Sequence, residues 1–207
     1  ETAGWNRASL FRSISRCEDL PKYNDWRSSD VLTEELQEVF GTLPGTWRVL
    51  VVDDASVIPC PQGWNPLGVH CIRLVANQGH QAAIFYGLKW VRENWPDVDH
   101  VVVMDADGED DPHALPTLLD REEEVVFAQR GKRHEGWRFQ LGYQLYRALF
   151  RAVTGQRMRV GNYAVIRKEV LQALSDSGFA HFGAALLNWT GTKAFVTVHR
   201  RPRIDGQ

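Results

Sequence analysis

The sequence predicts an α/β domain built on a mostly parallel sheet. Three short apolar runs, "WRVLVV" (47–52), "VHCIRLV" (69–75) and "HVVVM" (100–104), read as buried strands. Stretches with helical spacing alternate with them, which is the pattern of β–α units. Two of the three runs end in acids, Asp53-Asp54 and Asp105-Ala106-Asp107. In open α/β sheets ligands bind at the carboxyl ends of strands, so these acids mark a candidate site.

The elements follow in order. Asp30 is read as the cap of a helix over "VLTEELQEVF", with Val31, Leu32, Leu36, Val39 and Phe40 on one face and Gly41 as its stop. The strands at 47–52 and 69–75 come next, then a helix over "HQAAIFYGLKWVREN" (80–94) and the strand at 100–104. Asp111 caps a short helix that has Pro112 at its first position. "EVVFAQ" (124–129) is a further strand. "GWRFQLGYQLYRALFRAV" (136–153) is an amphipathic helix, with Leu141, Leu145 and Leu149 on one stripe and Arg147 and Arg151 on another. A short strand "NYAVI" (162–166), helices near 167–175 and 179–188, and a strand "AFVTV" (194–198) complete the pattern.

Composition narrows the class. A chain of 207 residues fits one domain, and 43% hydrophobic with 24% charged residues is ordinary globular composition. The net charge of −2 and the lack of a recognition motif argue against nucleic acid. Charge is unevenly spread, since Gln129 to Lys168 holds ten Lys/Arg and one acid, Glu135. Three cysteines, an odd number without a C-x-x-C, suggest reduced thiols in a cytoplasmic protein. No run of 18 apolar residues and no leader-like core segment is present, and the missing initiator Met suggests a processed start.

The densest feature is "VVVMDADGEDD" (101–111), where Asp105, Asp107, Glu109, Asp110 and Asp111 crowd together. Carboxylates without a counter-charge repel. A divalent cation removes that repulsion, because Mg²⁺ or Mn²⁺ takes one or two protein carboxylates plus substrate phosphates. Asp105 and Asp107 can both face one ion or one nucleotide, and Glu109 can add a third oxygen. The competing reading is a solvated acidic turn with Asp111 as a helix cap. A calcium EF-hand fits poorly, since its sixth and twelfth positions would be Asp110 and Pro116. A haloacid-dehalogenase-type phosphatase with Asp105 as nucleophile matches in part, but Glu109 follows Gly108 and the motif lies in mid-chain.

Taken together, "VLVVDDAS" (49–56), "NQGHQAAIFYGL" (77–88), "VVVMDADGEDDP" (101–112), "AQRGKR" (128–133) and "GNYAVIRKEVLQAL" (161–174) resemble family 2 glycosyltransferases of the GT-A fold. The subgroup they resemble is the polyprenyl-phosphate sugar transferases, which include dolichyl-phosphate mannose synthase. The resemblance implies a mostly parallel Rossmann-like sheet, a UDP- or GDP-linked sugar donor, Mg²⁺ or Mn²⁺ as cofactor and a lipid-phosphate acceptor. It implies that Asp53 and Asp54 hold the nucleoside. Asp105 and Asp107 then engage ribose, metal and diphosphate, with Glu109 as a third ligand where the subgroup usually has Gln. Asn77, Gly79, His80 and Gln81 match a loop that either packs and caps the next helix or touches the donor. Arg130 and Arg133 match basic residues that meet acceptor phosphate or donor diphosphate. A lipid phosphate is ionised at pH 7 and needs no strong base, which agrees with reading His80, His100, His113, His134, His181 and His199 as surface or capping residues. The basic, aromatic segment 130–159 would touch a membrane peripherally at its cytoplasmic face.

The match weakens at the N-terminus. "YNDW" (23–26) keeps the end of the family's first strand, but "SLFRSISRCEDLPK" before it carries Arg12, Arg16, Glu18 and Asp19 where a buried strand should run. The expectation is an atypical N-terminal segment (1–22) ahead of a catalytic domain (23–207), with the first strand displaced or replaced. A catalytically degenerate binding domain is the corresponding alternative. The sequence also ends earlier than related chains usually do.

Overall fold

The structure is a computed structural model that describes residues 7–14, 26–57, 69–130, 161–178, 181–199 and 201–202. Seven strands form one sheet in the order β3-β2-β1-β4-β6-β5-β7. They are β1 (Arg7–Ile14), β2 (Thr46–Asp53), β3 (Val69–Arg73), β4 (His100–Asp105), β5 (Val125–Arg130), β6 (Ala164–Arg167) and β7 (Lys193–Val198). The run β3, β2, β1, β4 is parallel throughout. β6 is antiparallel to both β4 and β5, and β7 returns parallel to β5.

The first strand is a correction to the sequence reading. The sheet does not lack it. Residues Arg7–Ile14 pair with β2 on one side and β4 on the other, in the centre of the sheet. A central strand is held by two backbone ladders, and those hydrogen bonds do not depend on side-chain polarity. The strand is atypical in composition and ordinary in pairing.

The helices are α1 (Trp26–Thr42), α2 (His80–Asn94), α3 (Leu115–Leu119), α4 (Lys168–Ser177) and α5 (Phe182–Leu187). α1 differs from expectation at both ends. It begins at Trp26, so exposed Asp30 lies within it and not at its cap. It runs through Gly41, and the Thr42 hydroxyl closes the last turn by donating to the Val39 carbonyl at 2.7 Å. The helix expected over 136–153 lies outside the described residues.

Side chains alternate across the strands and feed two apolar layers. One joins Val49 and Val51 of β2 and Val102 and Met104 of β4 to Leu32, Leu36 and Val39 of α1 and Leu118 of α3. The other joins Leu50 and Val52, Val101 and Val103 to Ile84, Leu88 and Val91 of α2 and Leu171 of α4. The sheet is thus sandwiched between helices and its acidic strand ends are left at one edge. Among the described residues no helix is long and apolar enough to cross a membrane.

Candidate active site

Strand register brings the acids together. Ile14 of β1 pairs with Asp53 and Ser13 pairs with Asp105, so the two aspartates flank the carboxyl end of β1. The chain goes outward from β1 to β2 and β3, then returns to β4 on the other side. This is the topological switch point where a crevice opens in such sheets.

Asp53 and Asp54 are both fully buried. Asp53 accepts from the Ser56 backbone N–H at 2.8 Å and from Arg73 Nη1 at 3.1 Å. Arg73 also donates to the Ser56 carbonyl at 2.7 Å, which ties the turn after β2 to the end of β3. Asp54 takes the backbone N–H groups of Gln78 (2.7 Å) and Gly79 (2.8 Å), one on each carboxylate oxygen. Those donors lie just before α2, so the helix dipole also favours the buried charge. Asn77 Nδ2 donates to the Asp54 carbonyl at 3.3 Å. The loop 77–79 is thereby held against the end of β2. Gly79 has φ +84°, a left-handed value that suits glycine.

The acid loop after β4 divides by task. Buried Asp110 accepts the backbone N–H of Asp105 at 2.8 Å and so folds the loop on itself. The sequence reading had no task for it. Asp107 Oδ1 accepts from Glu109 N–H at 3.0 Å, across the turn where Gly108 has φ +77°. Asp111 caps a short 3₁₀ turn, Pro112–Ala114, by accepting from His113 N–H at 3.0 Å, as expected. Its carbonyl accepts the Tyr163 hydroxyl at 3.0 Å. Burial raises the pKa of that phenol well above its ordinary value, so it stays a donor.

Arg201 and Asn162 at this edge were not singled out from sequence, whereas His80 and Gln81 belong to the loop already matched there. Arg201, after β7, donates to both oxygens of Glu35 on α1 at 2.7 and 2.5 Å, and its backbone N–H donates to the Glu109 carbonyl at 3.0 Å. The acid loop is therefore pinned from behind. Asn162 Nδ2 lies 3.2 Å from Asp105 Oδ1, and His80 Nε2 lies 3.2 Å from the same oxygen. Gln81 Nε2 reaches Asn162 Oδ1 at 3.1 Å. His80, the first residue of α2, is thus half-buried beside Asp105. His100 is buried within β4, His181 caps α5, and His113 contacts Asp111. Arg130 is the last residue of β5, and Arg133 lies outside the described residues.

The donor set suits a hard cation in part. Asp105 and Asp107 offer carboxylate oxygens at one strand end, which matches an ion that takes one or two protein carboxylates and completes its shell from phosphate and water. Glu109 does not join them in a closed cage. Among the described residues no three His, Cys, Asp or Glu side chains converge as a metal-binding group.

Comparison with known proteins agrees with this architecture. Residues 20–175 match the Glycosyl transferase family 2 model. A glycosyltransferase of Synechocystis, itself uncharacterized, is 26% identical over 203 residues, covering 91% of this chain and 62% of the relative. The undecaprenyl-phosphate 4-deoxy-4-formamido-L-arabinose transferase of Proteus mirabilis is 26% identical over 179 residues, covering 82% of this chain and 53% of the relative. The chain therefore spans only part of the length of these relatives. Glucosyl-3-phosphoglycerate synthase from Mycobacterium tuberculosis, solved with Mn²⁺, UDP and glucosyl-3-phosphoglycerate, superposes with a TM-score of 0.59 at 14% identity over 98% of this chain and 73% of that one. Mannosyl-3-phosphoglycerate synthase from Rubrobacter xylanophilus gives 0.57 at 16% identity, over 97% of this chain and 68% of that one. These likenesses establish the GT-A fold, and the family match sets aside the phosphatase reading of Asp105. The chain belongs to glycosyl transferase family 2.

Proposed function

We propose that this chain transfers a sugar from a nucleotide-sugar donor to a polyprenyl phosphate, in the presence of Mg²⁺ or Mn²⁺. The observation that carries the reading is the flanking of β1 by Asp53 and Asp105 at the switch point of the sheet. Support for the acceptor comes from the undecaprenyl-phosphate transferases among the relatives. Support for a UDP-linked donor and a divalent ion comes from the fold neighbour solved with both.

In this reading Asp53, Asp54 and Asn77 border the nucleoside. Asp54 acts by holding the loop 77–79, since both of its oxygens are taken by backbone N–H groups. Asp105 and Asp107 would hold the cation, which would supply positive charge to the diphosphate leaving group. Glu109 stands beside them, its backbone fixed by Arg201. Arg130 and Arg133 meet the phosphates of donor or acceptor. The acceptor phosphate is already anionic, so the site needs orientation and charge complementarity more than a base. With a lipid acceptor the reaction would take place at a membrane, in this reading at its cytoplasmic face.

The reading is tested by thermal denaturation with UDP- and GDP-sugars, with and without Mn²⁺. A ligand at a hundred times its Kd stabilises by about 2.7 kcal/mol. The wild-type chain should show a Mn²⁺-dependent rise in melting temperature with one nucleotide series, and Asp107→Ala should abolish it. Equal shifts in wild type and Asp107→Ala would place the nucleotide elsewhere.

A further inference from the structure

One backbone group sets the direction of a chain of side-chain hydrogen bonds that ends on Asp105. The Phe182 backbone N–H can only donate, and it meets Gln81 Oε1 at 2.7 Å. The Gln81 amide is thereby fixed, with Nε2 donating to Asn162 Oδ1 at 3.1 Å. The Asn162 amide is fixed in turn. Its Nδ2 carries two protons and stands 3.2 Å from Asp105 Oδ1 and 2.6 Å from His80 Nε2. Both protons are used when each meets one acceptor. His80 Nε2 then accepts, and its ring proton is on Nδ1. The opposite tautomer would set N–H against N–H across 2.6 Å. The 3.2 Å separation of His80 Nε2 and Asp105 Oδ1 is accordingly the spacing of two acceptors bridged by the Asn162 amide.

The fold explains why Asn162 is there. β4 and β6 are antiparallel, with Val102 opposite Val165 and Val103 opposite Ala164. Continuing that register by two residues brings Asn162 opposite Asp105. The Asp105 carboxylate stands at the strand's end, past the last β4–β6 pair, where backbone pairing on that side does not fix the side chain. A side chain delivered by the neighbouring strand, and oriented from α2 and α5, replaces that restraint.

We propose that Asn162 is the positioning residue of the site: through the relay Phe182–Gln81–Asn162 it sets the orientation in which Asp105 meets the nucleotide and its cation. The proposal rests on the reading of Asp105 as a nucleotide-and-cation residue, and it adds Asn162, Gln81 and the tautomer of His80 to that reading.

Two measurements decide it. Without any ligand, long-range ¹H–¹⁵N NMR of the imidazoles should show His80 protonated at Nδ1 in the wild type. Asn162→Ala should release that preference. A wild-type His80 protonated at Nε2, or one indifferent to Asn162→Ala, overturns the relay. In the second measurement, calorimetry follows binding of UDP and of GDP with Mn²⁺. Asn162→Ala should weaken binding about 10–100-fold, the usual cost of removing a group that orients a metal ligand. The same change should cost nothing further in an Asp105→Ala background. Losses that add in the double variant would show that Asn162 acts independently of Asp105 and would overturn the positioning role. If Asn162→Ala does not fold, Gln81→Ala breaks the same relay from α2 and should show the same tautomer release and the same non-additivity. A wild-type chain that binds neither nucleotide with Mn²⁺ sinks the functional reading and the positioning role with it, while the NMR result still decides the relay.

Discussion

Ala55 is the one described non-glycine residue with a positive φ, at +56°. It lies between the two buried aspartates and the Ser56 N–H that Asp53 holds, so the turn after β2 forces it there. A left-handed conformation costs an L-residue about 1–2 kcal/mol, and glycine returns roughly half of that through its more flexible unfolded state. Ala55→Gly should therefore stabilise the protein by up to about 1 kcal/mol in urea denaturation. A loss of stability would mean that the Cβ makes packing contacts worth more than the strain. The same scale shows what a sequence can and cannot reveal. Asp53, Asp105 and Asp107 were legible because they end apolar runs. The uses of Asp110 and Asn162 were not. Asp110 works on the backbone of a residue five positions back, and Asn162 is brought to Asp105 by strand pairing across 57 positions. Neither contact leaves a local pattern.

At the scale of elements, helix α2 was legible to the residue, because its apolar positions recur with helical period and it starts after a glycine. What was not legible is how its start is anchored. Asp54, just after β2, holds the two N–H groups before α2, so strand end and helix start behave as one unit. Asp54→Asn would keep one acceptor and turn an amide N–H toward the other donor. Leaving one buried donor unmet costs about 1–3 kcal/mol. The amides of Gln78 and Gly79 should then exchange hydrogen faster, while those of β4 keep their protection relative to global stability. Unchanged exchange at 78 and 79 would refute the anchoring. The start of α1 was misread for a related reason. Asp25, Ser28, Ser29 and Asp30 are all cap-type residues, and Asp30, the one next to the apolar run, attracted the boundary although the helix already contained it.

For the whole molecule, the sheet couples folding to pH through a buried base. His100 lies in β4, opposite Arg167 of β6. Burial, and then the Arg167 charge, lower its pKa to about 4. The unfolded chain binds a proton here near pH 6.5 and the folded one does not until near pH 4, so the unfolded state holds more protons in that window. Stability is fully present above pH 6.5 and falls as the pH drops toward 4. From pH 7 to pH 5 this residue should remove about 2 kcal/mol. Denaturation midpoints measured at both values should converge in His100→Leu relative to the wild type. A variant that keeps the full wild-type dependence would assign it to other groups.

The central place of β1 has a consequence for the order of events during synthesis. β1 precedes both of its neighbours in the chain, yet it pairs with Thr46–Asp53 on one side and with His100–Asp105 on the other. Until β4 has left the ribosome, one edge of β1 has no ladder, and an open edge is a template for wrong pairing. Such distant pairing also slows folding, because a long loop must close before any contact repays it. A strand with arginines at Arg7 and Arg12 is a poor template for association with another chain, since charge on an exposed edge discourages it. The polar composition that hides β1 from pattern reading would thus serve the growing chain, by keeping its first strand solvated until the partner that closes the sheet has been made.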